Sequence, residues 1–468
     1  MTFALADVAK ALGLPETMPE VRVAGWSTDT RTLAPGDLFF ALKGPSFDGS
    51  AFVEEAAARG AVGAVVGQAP CLRRAPSPPV PESSAGRSER PPQPERLPYL
   101  VVPDVLRALQ KLAAWARGEW GGDIVAITGS AGKTSTKDVI ADLLSTRLSV
   151  GCTAGNLNNH IGVPLSLLRL PADARIGVIE IGMNHAGEIR DLVQIARPRI
   201  AVVTNIGYAH AEGFDDGIEG VARAKRELVE ALPQDGVAVL NADDPRVSRF
   251  EYPVEMVTFG IDHPADIRAD EIGFTDSGAR FRVDGVEFTT ELSGRHAVLN
   301  ILAGLAVARV YGLAAADLVD AVARLKPGKM RGERISYRGI LILNDSYNSN
   351  PDAARAMLDV LRDTPAERRV AVLGEMLELG RWSETLHRDV GRYAAQCGVS
   401  VLMGIRGAAR ALVDAAVKAG LPEAAAYFFD DPESAGERLR GILREGDAVL
   451  FKGSRGTRVE KALERFMG

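Results

Sequence analysis

Short, uninterrupted apolar runs alternate with amphipathic helical patterns over most of this 468-residue chain. From residue 124 onward the runs read IVAIT, RIGVIEIG, RIAVVTNI and GVAVLNAD, and segments such as TKDVIADLLS separate them. Apolar strands that lack in–out alternation are typical of parallel sheets covered by helices on both faces. The sequence therefore predicts an α/β fold built around parallel sheets.

The alternation falls into three regions along the chain. The first hundred residues contain the strand-like runs DLFFAL and GAVGAVV. The alternation of strand-like and helical patterns that starts at 124 is interrupted at 254–292, where GARFRV and VEFTTEL predict an antiparallel extension. The alternation resumes near 330 with LILND. Because a chain of this length exceeds what one hydrophobic core serves, we predict three domains. They are a small N-terminal α/β domain at 1–100, a central mononucleotide-binding parallel sheet at 101–328 and a Rossmann-like doubly wound domain at 329–468.

A proline-rich segment interrupts the N-terminal region. Residues 70–98 hold nine of the 26 prolines together with Ser, Arg and Glu. Such a composition cannot bury enough apolar surface to offset the entropy lost on ordering. We predict that this segment is a disordered surface insertion.

Composition and charge exclude several function classes. The net charge of −6 and the absence of a long Lys/Arg run argue against general nucleic-acid binding, which requires neutralisation of many phosphates. Cys71, Cys152 and Cys397 are too far apart for a C-x-x-C motif, so neither a disulfide framework nor a zinc site is expected. Asp7 and Lys10 interrupt the apolar N-terminus, and no apolar run reaches the roughly 20 residues of a membrane helix. We expect a soluble cytoplasmic protein.

The stretch IVAITGSAGKTSTKDVI at 124–140 has the properties of a phosphate-binding loop, although its spacing differs from the common G-x-x-x-x-G-K-[ST] form. A buried strand leads into a glycine turn, and a helix is predicted to begin at Lys133. Backbone N–H groups from Gly129 to Thr134 could point at phosphate oxygens, assisted by the helix dipole. Lys133 would neutralise phosphate charge and Thr134 would offer a hydroxyl to Mg²⁺. The central domain is therefore predicted to be of the P-loop type.

Two further residues follow neighbouring strands of this predicted sheet. Glu180 ends the run GVIEIG, and His210 follows the next strand in NIGYAHAEGF. Ligands of parallel sheets gather at the carboxyl ends of the strands, and Mg²⁺ prefers hard oxygen ligands. A lone histidine after a strand is more often structural. Together, Thr134, Glu180 and His210 predict a metal or reaction centre.

Several motifs resemble the Mur ligase family, and they keep the family's order along the whole chain. They are TGSAGKTS, GNLNNHIGVP, EIGMNHAGEI, NIGYAHAEGF, GRHAVLN, MRGE, NDSYNSNP and FKGSRG. The insertion at 70–98 departs from the family, in which this connection is usually short. The resemblance implies an ATP-dependent, Mg²⁺-requiring ligase of peptidoglycan precursor synthesis, with UDP-N-acetylmuramoyl-tripeptide and D-alanyl-D-alanine as substrates. It also implies an acyl-phosphate intermediate, so that a carboxylate receives the phosphoryl group. A monomer is expected.

The resemblance assigns residues to the ATP site and to the reaction centre. The expected ATP contacts are Gly129, Ser130, Ala131, Gly132, Lys133, Thr134 and Ser135 in the loop, with Asn300, Arg331 and Asp345 beyond it. Without the resemblance, Arg331 and Asp345 would be interpreted as an ordinary surface pair. The expected catalytic residues are Lys133, Glu180, His210 and Lys225. Family members carry a carbamylated lysine at an A-K-x-E position like that of Lys225, whereas helix statistics alone favour a solvated lysine here.

The resemblance also assigns substrate-binding residues. The N-terminal domain is implied to be a uridine-nucleotide module that uses Ser27, Thr28, Arg31, Lys43, Phe47, Asp48 and Gly49. Asn156, Asn158 and Asn159 are expected to line the peptide path. Asn348 lies in an Asn-rich turn, and Lys452, Ser454 and Arg455 are expected to contact a substrate carboxylate.

Two alternatives remain open at the level of sequence. One is another ATP-dependent amino-acid ligase, such as the enzyme that adds the third stem residue or folylpolyglutamate synthase. The third-residue ligase usually carries an Asp-Asn-Pro-Arg-like motif, whereas this chain has DDPES at 430–434. The other is a nucleotide-binding regulatory or scaffold protein without catalysis, against which the set Lys133, Thr134, Glu180 and His210 argues. The third residue of the tripeptide is not specified by the sequence.

Overall fold

The computed structural model describes residues 1–15, 18–44, 47–67, 97–275 and 278–468. This part of the chain divides into two compact units, Met1–Gly122 with His160–Ala174 and Asp123–Asn159 with Arg175–Gly468. The insertion predicted at 70–98 lies outside the described residues except for its last two. None of the helices in the described ranges is long and apolar enough to cross a bilayer. Cys152 and Cys397 are free thiols, whereas Cys71 lies outside the described residues.

The elements follow the alternation expected from the sequence. The strands are β1 (Phe3–Ala4), β2 (Arg22–Val23), β3 (Gly25–Ser27), β4 (Asp37–Phe40), β5 (Gly63–Val66), β6 (Tyr99–Val101), β7 (Asp123–Thr128), β8 (Val150–Cys152), β9 (Ile176–Glu180), β10 (Ile200–Val203), β11 (Val237–Asn241), β12 (Glu255–Gly260), β13 (Ile267–Arg268), β14 (Asp270–Thr275), β15 (Gly278–Val283), β16 (Val286–Thr290), β17 (Glu333–Tyr337), β18 (Ile340–Asp345), β19 (Arg368–Gly374), β20 (Val401–Ile405), β21 (Ala426–Phe429) and β22 (Asp447–Lys452). The helices are α1 (Leu5–Leu12), α2 (Val53–Ala58), α3 (Val105–Trp120), α4 (Lys133–Leu144), α5 (Gly162–Leu168), α6 (Glu188–Ala196), α7 (Ile218–Glu230), α8 (Arg295–Val310), α9 (Val319–Arg324), α10 (Pro351–Asp363), α11 (Ser383–Gln396), α12 (Ala409–Lys418), α13 (Pro432–Arg440) and α14 (Glu460–Met467).

The first unit is built around a parallel sheet in the order β3-β4-β5-β6. The predicted strands DLFFAL and GAVGAVV are confirmed as β4 and β5. Phe39, Ala64 and Val66 from these strands pack with Val53 and Ala56 of α2 in a buried cluster. The carboxyl ends of β3 and β4 therefore lie at one edge of a sheet with an apolar interior.

The second unit contains a seven-stranded parallel sheet in the order β13-β12-β11-β10-β7-β9-β8. Strand β7 lies between β10 and β9, so the strand order reverses direction at this point. In open α/β sheets, ligands bind outside the carboxyl ends of the strands at such a reversal. The glycine-rich loop follows β7, which places it at the expected binding position.

The antiparallel extension predicted at 254–292 is correct only in its second half. Strands β12 and β13 continue the parallel sheet, and a separate antiparallel sheet of β14, β15 and β16 begins at Asp270. The difference arises because Val257 and Phe259 of β12 are buried in the cluster that includes α8, whereas most of β14 is exposed. Phe281 and Phe288 stack across β15 and β16 at 5.4 Å between ring centroids.

A second sheet in the same unit has the order β17-β18-β22-β19-β20-β21. All neighbours are parallel except β17, an edge strand that pairs antiparallel with β18. Helices α10, α11 and α12 cover one face and α13 and α14 the other. The predicted doubly wound arrangement is confirmed, and with it the α/β fold built on parallel sheets.

Candidate active site

The glycine-rich loop joins β7 directly to α4, and the helix begins at Lys133 as predicted. Gly129 and Gly132 have positive φ values of 152° and 79°. A Cβ atom on Gly129 would lie 1.8 Å from Oγ1 of Thr204, and one on Gly132 would lie 2.8 Å from Oδ1 of Asn300. Glycine is thus required at both positions by close neighbours and by backbone conformation.

The N–H groups of the loop divide into two sets. Ser130 N donates to Asn205 O at 2.9 Å, and Ala131 N donates to Asn205 Oδ1 at 2.8 Å. These two groups are engaged within the protein, which corrects the predicted cradle from Gly129 to Thr134. The first intrahelical bond runs from Thr136 N to Gly132 O at 2.8 Å. The N–H groups of Lys133, Thr134 and Ser135 precede it and so have no partner within the helix, which suits them to bind an anion.

Lys133, Thr134 and Glu180 meet at the carboxyl ends of β7 and β9. Lys133 Nζ donates to Gly129 O at 2.8 Å. Burial lowers the pKa of Lys133, while the charge of Glu180 acts in the opposite direction. Thr134 Oγ1 donates to Glu180 Oε2 at 2.7 Å, and Asn158 Nδ2 donates to Glu180 Oε1 at 2.7 Å. The side chain of Glu180 is buried, so its carboxylate is held in one orientation by two polar partners.

His210 lies in the segment that follows the neighbouring strand β10, in a left-handed conformation with φ of 63°. Its Nδ1 lies 2.7 Å from Oε2 of Glu378, a residue that the sequence analysis did not single out. The hydrogen bond from His210 is the largest cause of a lowered pKa at Glu378. No group of three or more His, Cys, Asp or Glu residues in the described ranges is arranged to hold a metal ion. The predicted ligands Thr134 and Glu180 are in contact, whereas His210 pairs with Glu378.

Lys225 lies on α7, and its side chain is fully buried. Its Nζ atom has no hydrogen-bond partner among the described residues. Burial first, and then the charge of Lys133, hold the pKa of Lys225 well below its ordinary value. The alternative of a solvated lysine on a helix face is therefore wrong. Both burial and the nearby Lys133 therefore favour the unprotonated form of this amine.

All of the expected ATP residues except Gly129 line one cavity of about 880 Å³. Asn300 on α8 accepts a hydrogen bond from Thr136 Oγ1 at 3.1 Å. The guanidinium of Arg331 lies 3.9 Å from the ring centroid of Tyr347. Asp345 forms an ion pair with Lys452, although the sequence analysis gave these two residues to different ligands. Tyr347 and His296 also line the cavity and were missed.

Some of the predicted substrate residues of the second unit line this cavity and others do not. Asn156, Asn158, Asn159, Asn348 and Lys452 line the same cavity. Ser454 and Arg455 are not among its described lining residues and instead hold the Asn-rich turn. Ser454 Oγ donates to Ser349 O at 3.2 Å, and Arg455 N donates to Asn348 Oδ1 at 3.4 Å. Ser454 and Arg455 therefore contact this turn, and their expected contact with a substrate carboxylate stays a prediction.

In the first unit, the expected uridine-binding residues lie after β3 and β4. Arg31 is exposed and bonds Asp29 through two atoms, with Nε to Oδ1 at 2.9 Å and Nη2 to Oδ2 at 2.6 Å. Ser27 Oγ donates to Asp29 O at 3.0 Å, and Thr28 lies between them in the chain. Lys43 Nζ is 3.6 Å from Oδ2 of Asp48.

Two neighbours complete this group in the first unit. Gly49 N donates to Leu42 O at 2.8 Å, and a Cβ atom on Gly49 would approach that oxygen to 2.6 Å. Phe47 presents a ring that is 53% exposed. The group combines exposed cations with an exposed aromatic face.

Comparison with known proteins gives consistent likenesses along the chain. Residues 22–117 match the catalytic domain of the Mur ligase family, 127–308 the Mur ligase middle domain and 330–455 the Mur ligase glutamate ligase domain. UDP-N-acetylmuramoyl-tripeptide–D-alanyl-D-alanine ligase of Bacillus subtilis (strain 168) is 32% identical, over 98% of this chain and 96% of that protein.

Solved structures agree with these likenesses. A crystal structure of MurF from Acinetobacter baumannii has a TM-score of 0.85 at 29% identity and covers 100% of this chain and 99% of that chain. MurF ligase from Thermotoga maritima in complex with ADP has a TM-score of 0.78 at 28% identity, over 95% of this chain and 97% of that chain.

Proposed function

Because this chain belongs to the Mur ligase family, we propose that the cavity of its second unit is where ATP activates a peptide carboxylate. The protein is an ATP-dependent ligase that adds D-alanyl-D-alanine to UDP-N-acetylmuramoyl-tripeptide in peptidoglycan synthesis. The observation that carries the proposed site is the contact of Thr134 with Glu180 beside Lys133, at the reversal point of the parallel sheet.

The reaction proceeds in two steps with all atoms accounted for. An oxygen of the tripeptide carboxylate attacks the γ-phosphorus of ATP, the bond to the bridging oxygen breaks, and ADP leaves. The amine of D-alanyl-D-alanine then attacks the acyl carbon, loses a proton and expels phosphate, and an amide bond remains. Phosphoryl transfer depends chiefly on alignment and charge neutralisation. The N–H groups at the start of α4 and the ammonium of Lys133 are suited to both tasks.

A magnesium site fits the oxygen atoms at the end of β9. Thr134 Oγ1 and the Glu180 carboxylate are the hard oxygen ligands that Mg²⁺ prefers, and they are already 2.7 Å apart. His210 lines the same cavity and is the third candidate ligand. When bound, Mg²⁺ supplies positive charge that compensates the phosphate oxygens.

Lys225 fits a carbamate better than a free amine. In its unprotonated form, which the lowered pKa favours, the amine could attack carbon dioxide and release a proton, which would convert the buried side chain into an anion. Such an anion would pair with Lys133, whose charge lowers the pKa of Lys225. It would also extend the set of hard oxygen ligands. This assignment rests on the burial of Lys225 and on its unpartnered Nζ.

The remaining residues are proposed to hold the substrates. Asn300 would bind the adenine of ATP, and Arg331 and Asp345 its phosphates and ribose. Asn156, Asn158 and Asn159 would line the peptide path, Lys452 would contact a substrate carboxylate, and Asn348 would be a further substrate contact. Ser27, Thr28, Arg31, Lys43, Asp48 and Gly49 would bind the uridine nucleotide. We propose three domains with the boundaries predicted from the sequence. We propose a monomer that acts in the cytoplasm, where its substrate ATP is available.

The experiment that tests this function is phosphate release over a matrix of acceptors and amines. UDP-muramoyl-tripeptides ending in lysine, ornithine or diaminopimelate are combined with D-alanyl-D-alanine, D-alanine, L-lysine or L-glutamate. We expect turnover only with the dipeptide, and the best tripeptide identifies the third residue. Efficient turnover with UDP-muramoyl-dipeptide and a single amino acid would favour the third-residue ligase. Phosphate release at the same rate without any amine would refute the proposal.

A further inference from the structure

Two segments of the second unit meet beside the cavity. Residues 205–217 follow β10, and residues 378–382 lie between β19 and α11. Glu212 N donates to Glu378 O at 3.3 Å, and the guanidinium of Arg381 donates to Asp215 O. The rings of Tyr208 and Trp382 lie 6.4 Å apart. The contact therefore includes backbone, charged and aromatic groups.

Glycine residues allow the two segments to approach closely. A Cβ atom on Gly380 would lie 2.9 Å from Cβ of Glu212, and one on Gly217 would lie 2.6 Å from the ring of Trp382. Both glycines also have positive φ values, 52° and 60°. Residues 378–382 are thus seated against residues 205–217 at a distance that larger residues would prevent.

His210 is one of the residues of this contact that line the cavity, and Glu378 is its partner. Nδ1 of His210 lies 2.7 Å from Oε2 of Glu378. Both residues have left-handed backbone conformations, with φ of 63° and 65°. Such conformations are unfavourable for residues with a Cβ atom and persist where surrounding contacts over-determine them, often at functional sites. Here the two unfavourable conformations occur at the two members of one hydrogen-bonded pair.

We propose that Glu378 is a positioning residue that accepts the Nδ1 proton of His210 and so fixes the ring and its tautomer. Nε2 is then the unprotonated nitrogen, the one able to bind a cation or accept a proton at the reaction centre. His210 lies in the segment that follows β10 of the seven-stranded sheet, and Glu378 in the segment that follows β19 of the six-stranded sheet. The imidazole ring of His210 is therefore oriented only when residues 378–382 are in contact with residues 205–217. The catalytic consequence of this contact rests on the proposed function, whereas the tautomer of His210 depends only on its hydrogen bond with Glu378.

An ordinary surface ion pair is the competing interpretation. The side chain of Glu378 is 48% exposed and that of His210 22% exposed. Pairs of this kind contribute little to stability, so unfolding measurements alone cannot separate the two interpretations. The tautomer of His210 and the separate effects of a substitution on kcat and on KM distinguish a positioning role from a surface ion pair.

The test uses the full chain with Glu378→Ala, Glu378→Gln and a control, Glu384→Ala, which removes an exposed carboxylate paired with Arg388. Nitrogen-15 NMR of labelled histidines in ligand-free protein reports the tautomer, with His210→Asn to assign the signal. At a pH where the rings are neutral, we expect Nδ1–H in the wild type and in Glu378→Gln, whose amide oxygen still accepts the bond. We expect a shift toward Nε2–H in Glu378→Ala only.

Steady-state kinetics complete the test. Residues that orient a ligating side chain typically change activity by roughly 10–100-fold, so we expect kcat to fall by at least about tenfold in Glu378→Ala. The KM for ATP should stay within about twofold of the wild type, with substantial recovery in Glu378→Gln and no change in Glu384→Ala. An Nε2–H ring in the wild type, or wild-type kcat in Glu378→Ala, would overturn the proposal. The expected tautomers in a protein that does not ligate D-alanyl-D-alanine would instead refute the proposed function and leave the positioning role standing.

Discussion

Burying an amine without a hydrogen-bond partner destabilises a folded protein, because the group loses its hydration and gains nothing in return. Lys225 is in this situation, with a fully buried side chain and an unpartnered Nζ. A methionine would fill similar space at no such cost. The presence of lysine at this position therefore indicates a chemical role rather than a structural one.

Lys225→Met should stabilise the ligand-free protein while removing its activity. In bicarbonate-free buffer near neutral pH, we expect the free energy of unfolding to rise by about 1–3 kcal/mol. Burial holds the folded-state pKa of Lys225 well below its ordinary value of 10.5. The wild type therefore loses stability as the pH falls below the unfolded value, and the gap between the two proteins narrows as the pH rises toward it. Urea denaturation near pH 7 and near pH 9 measures the gap; a less stable methionine variant would refute the reasoning.

Bicarbonate should act on the wild type alone. The proposed carbamate at Lys225 requires the folded site, so dissolved carbon dioxide should stabilise the native state by mass action. We expect the Tm of the wild type to rise with bicarbonate at constant pH and ionic strength, and the Tm of Lys225→Met to stay constant. Equal shifts in both proteins would show that the effect does not arise at Lys225.

Lys133→Ala should leave the fold intact and reduce turnover. A charged donor aimed at the transferring phosphoryl group supports the transition state by an amount that corresponds to roughly 10²–10³-fold in kcat. Lys461→Ala serves as the control, because it removes an exposed ammonium paired with Glu433. ADP release is the readout, with circular dichroism to verify folding. Near-normal turnover in a folded Lys133→Ala protein would contradict the assignment of the loop.

At the scale of elements, α10 links its own sheet to the phosphate loop. Asn350 caps this helix by accepting from Ala353 N at 2.9 Å, and its Nδ2 donates to Ser130 O at 3.2 Å. Helix α13 starts in the same way, since Asp431 accepts from Ser434 N at 2.7 Å and a proline follows. The two caps are alike, but only one of them contacts the loop.

Asn350→Ala and Asp431→Ala should therefore destabilise similarly and differ in catalysis. Loss of an N-cap costs about 1 kcal/mol, which we expect for both variants in urea denaturation. We expect kcat to fall several-fold further in Asn350→Ala, because the loop loses its bond to the second sheet. If kcat falls in both variants only as far as the loss of stability explains, the contact between Asn350 and the loop has no role in catalysis.

Local patterns in the sequence were sufficient for most elements and for the loop. The start of α4 at Lys133 follows from a glycine turn between a buried strand and an amphipathic run, all within a few residues. Strand β17 was missed because its residues are mixed in polarity, as suits an antiparallel edge strand beside β18.

Long-range contacts account for what the sequence could not predict in the site. Glu378 becomes notable only through His210, a residue of another sheet. Lys225 looked solvated because Arg226 beside it is polar, whereas its burial depends on tertiary packing around α7. Asp345 and Lys452 were assigned to separate ligands because their ion pair joins strands that are distant in the chain.

At the scale of the whole molecule, the central claim is that two sheets share one cavity in which a carboxylate receives the phosphoryl group. The phosphate loop and Glu180 belong to the seven-stranded sheet, and Asp345 and Lys452 to the six-stranded one. We expect this cavity to hold the nucleotide and the peptide carboxylate together, so that neither water nor a protein hydroxyl acts as the phosphoryl acceptor.

Transfer of oxygen isotope tests this claim most directly. The terminal carboxylate of UDP-muramoyl-tripeptide is labelled in both oxygens with ¹⁸O and incubated with ATP, D-alanyl-D-alanine and the enzyme in unlabelled water. Attack by the carboxylate moves one labelled oxygen to phosphorus, so each released phosphate should carry one ¹⁸O and the new amide carbonyl the other. Mass spectrometry of phosphate and product reads both positions. Released phosphate without label, formed at the same rate as the ligated product, would contradict the account.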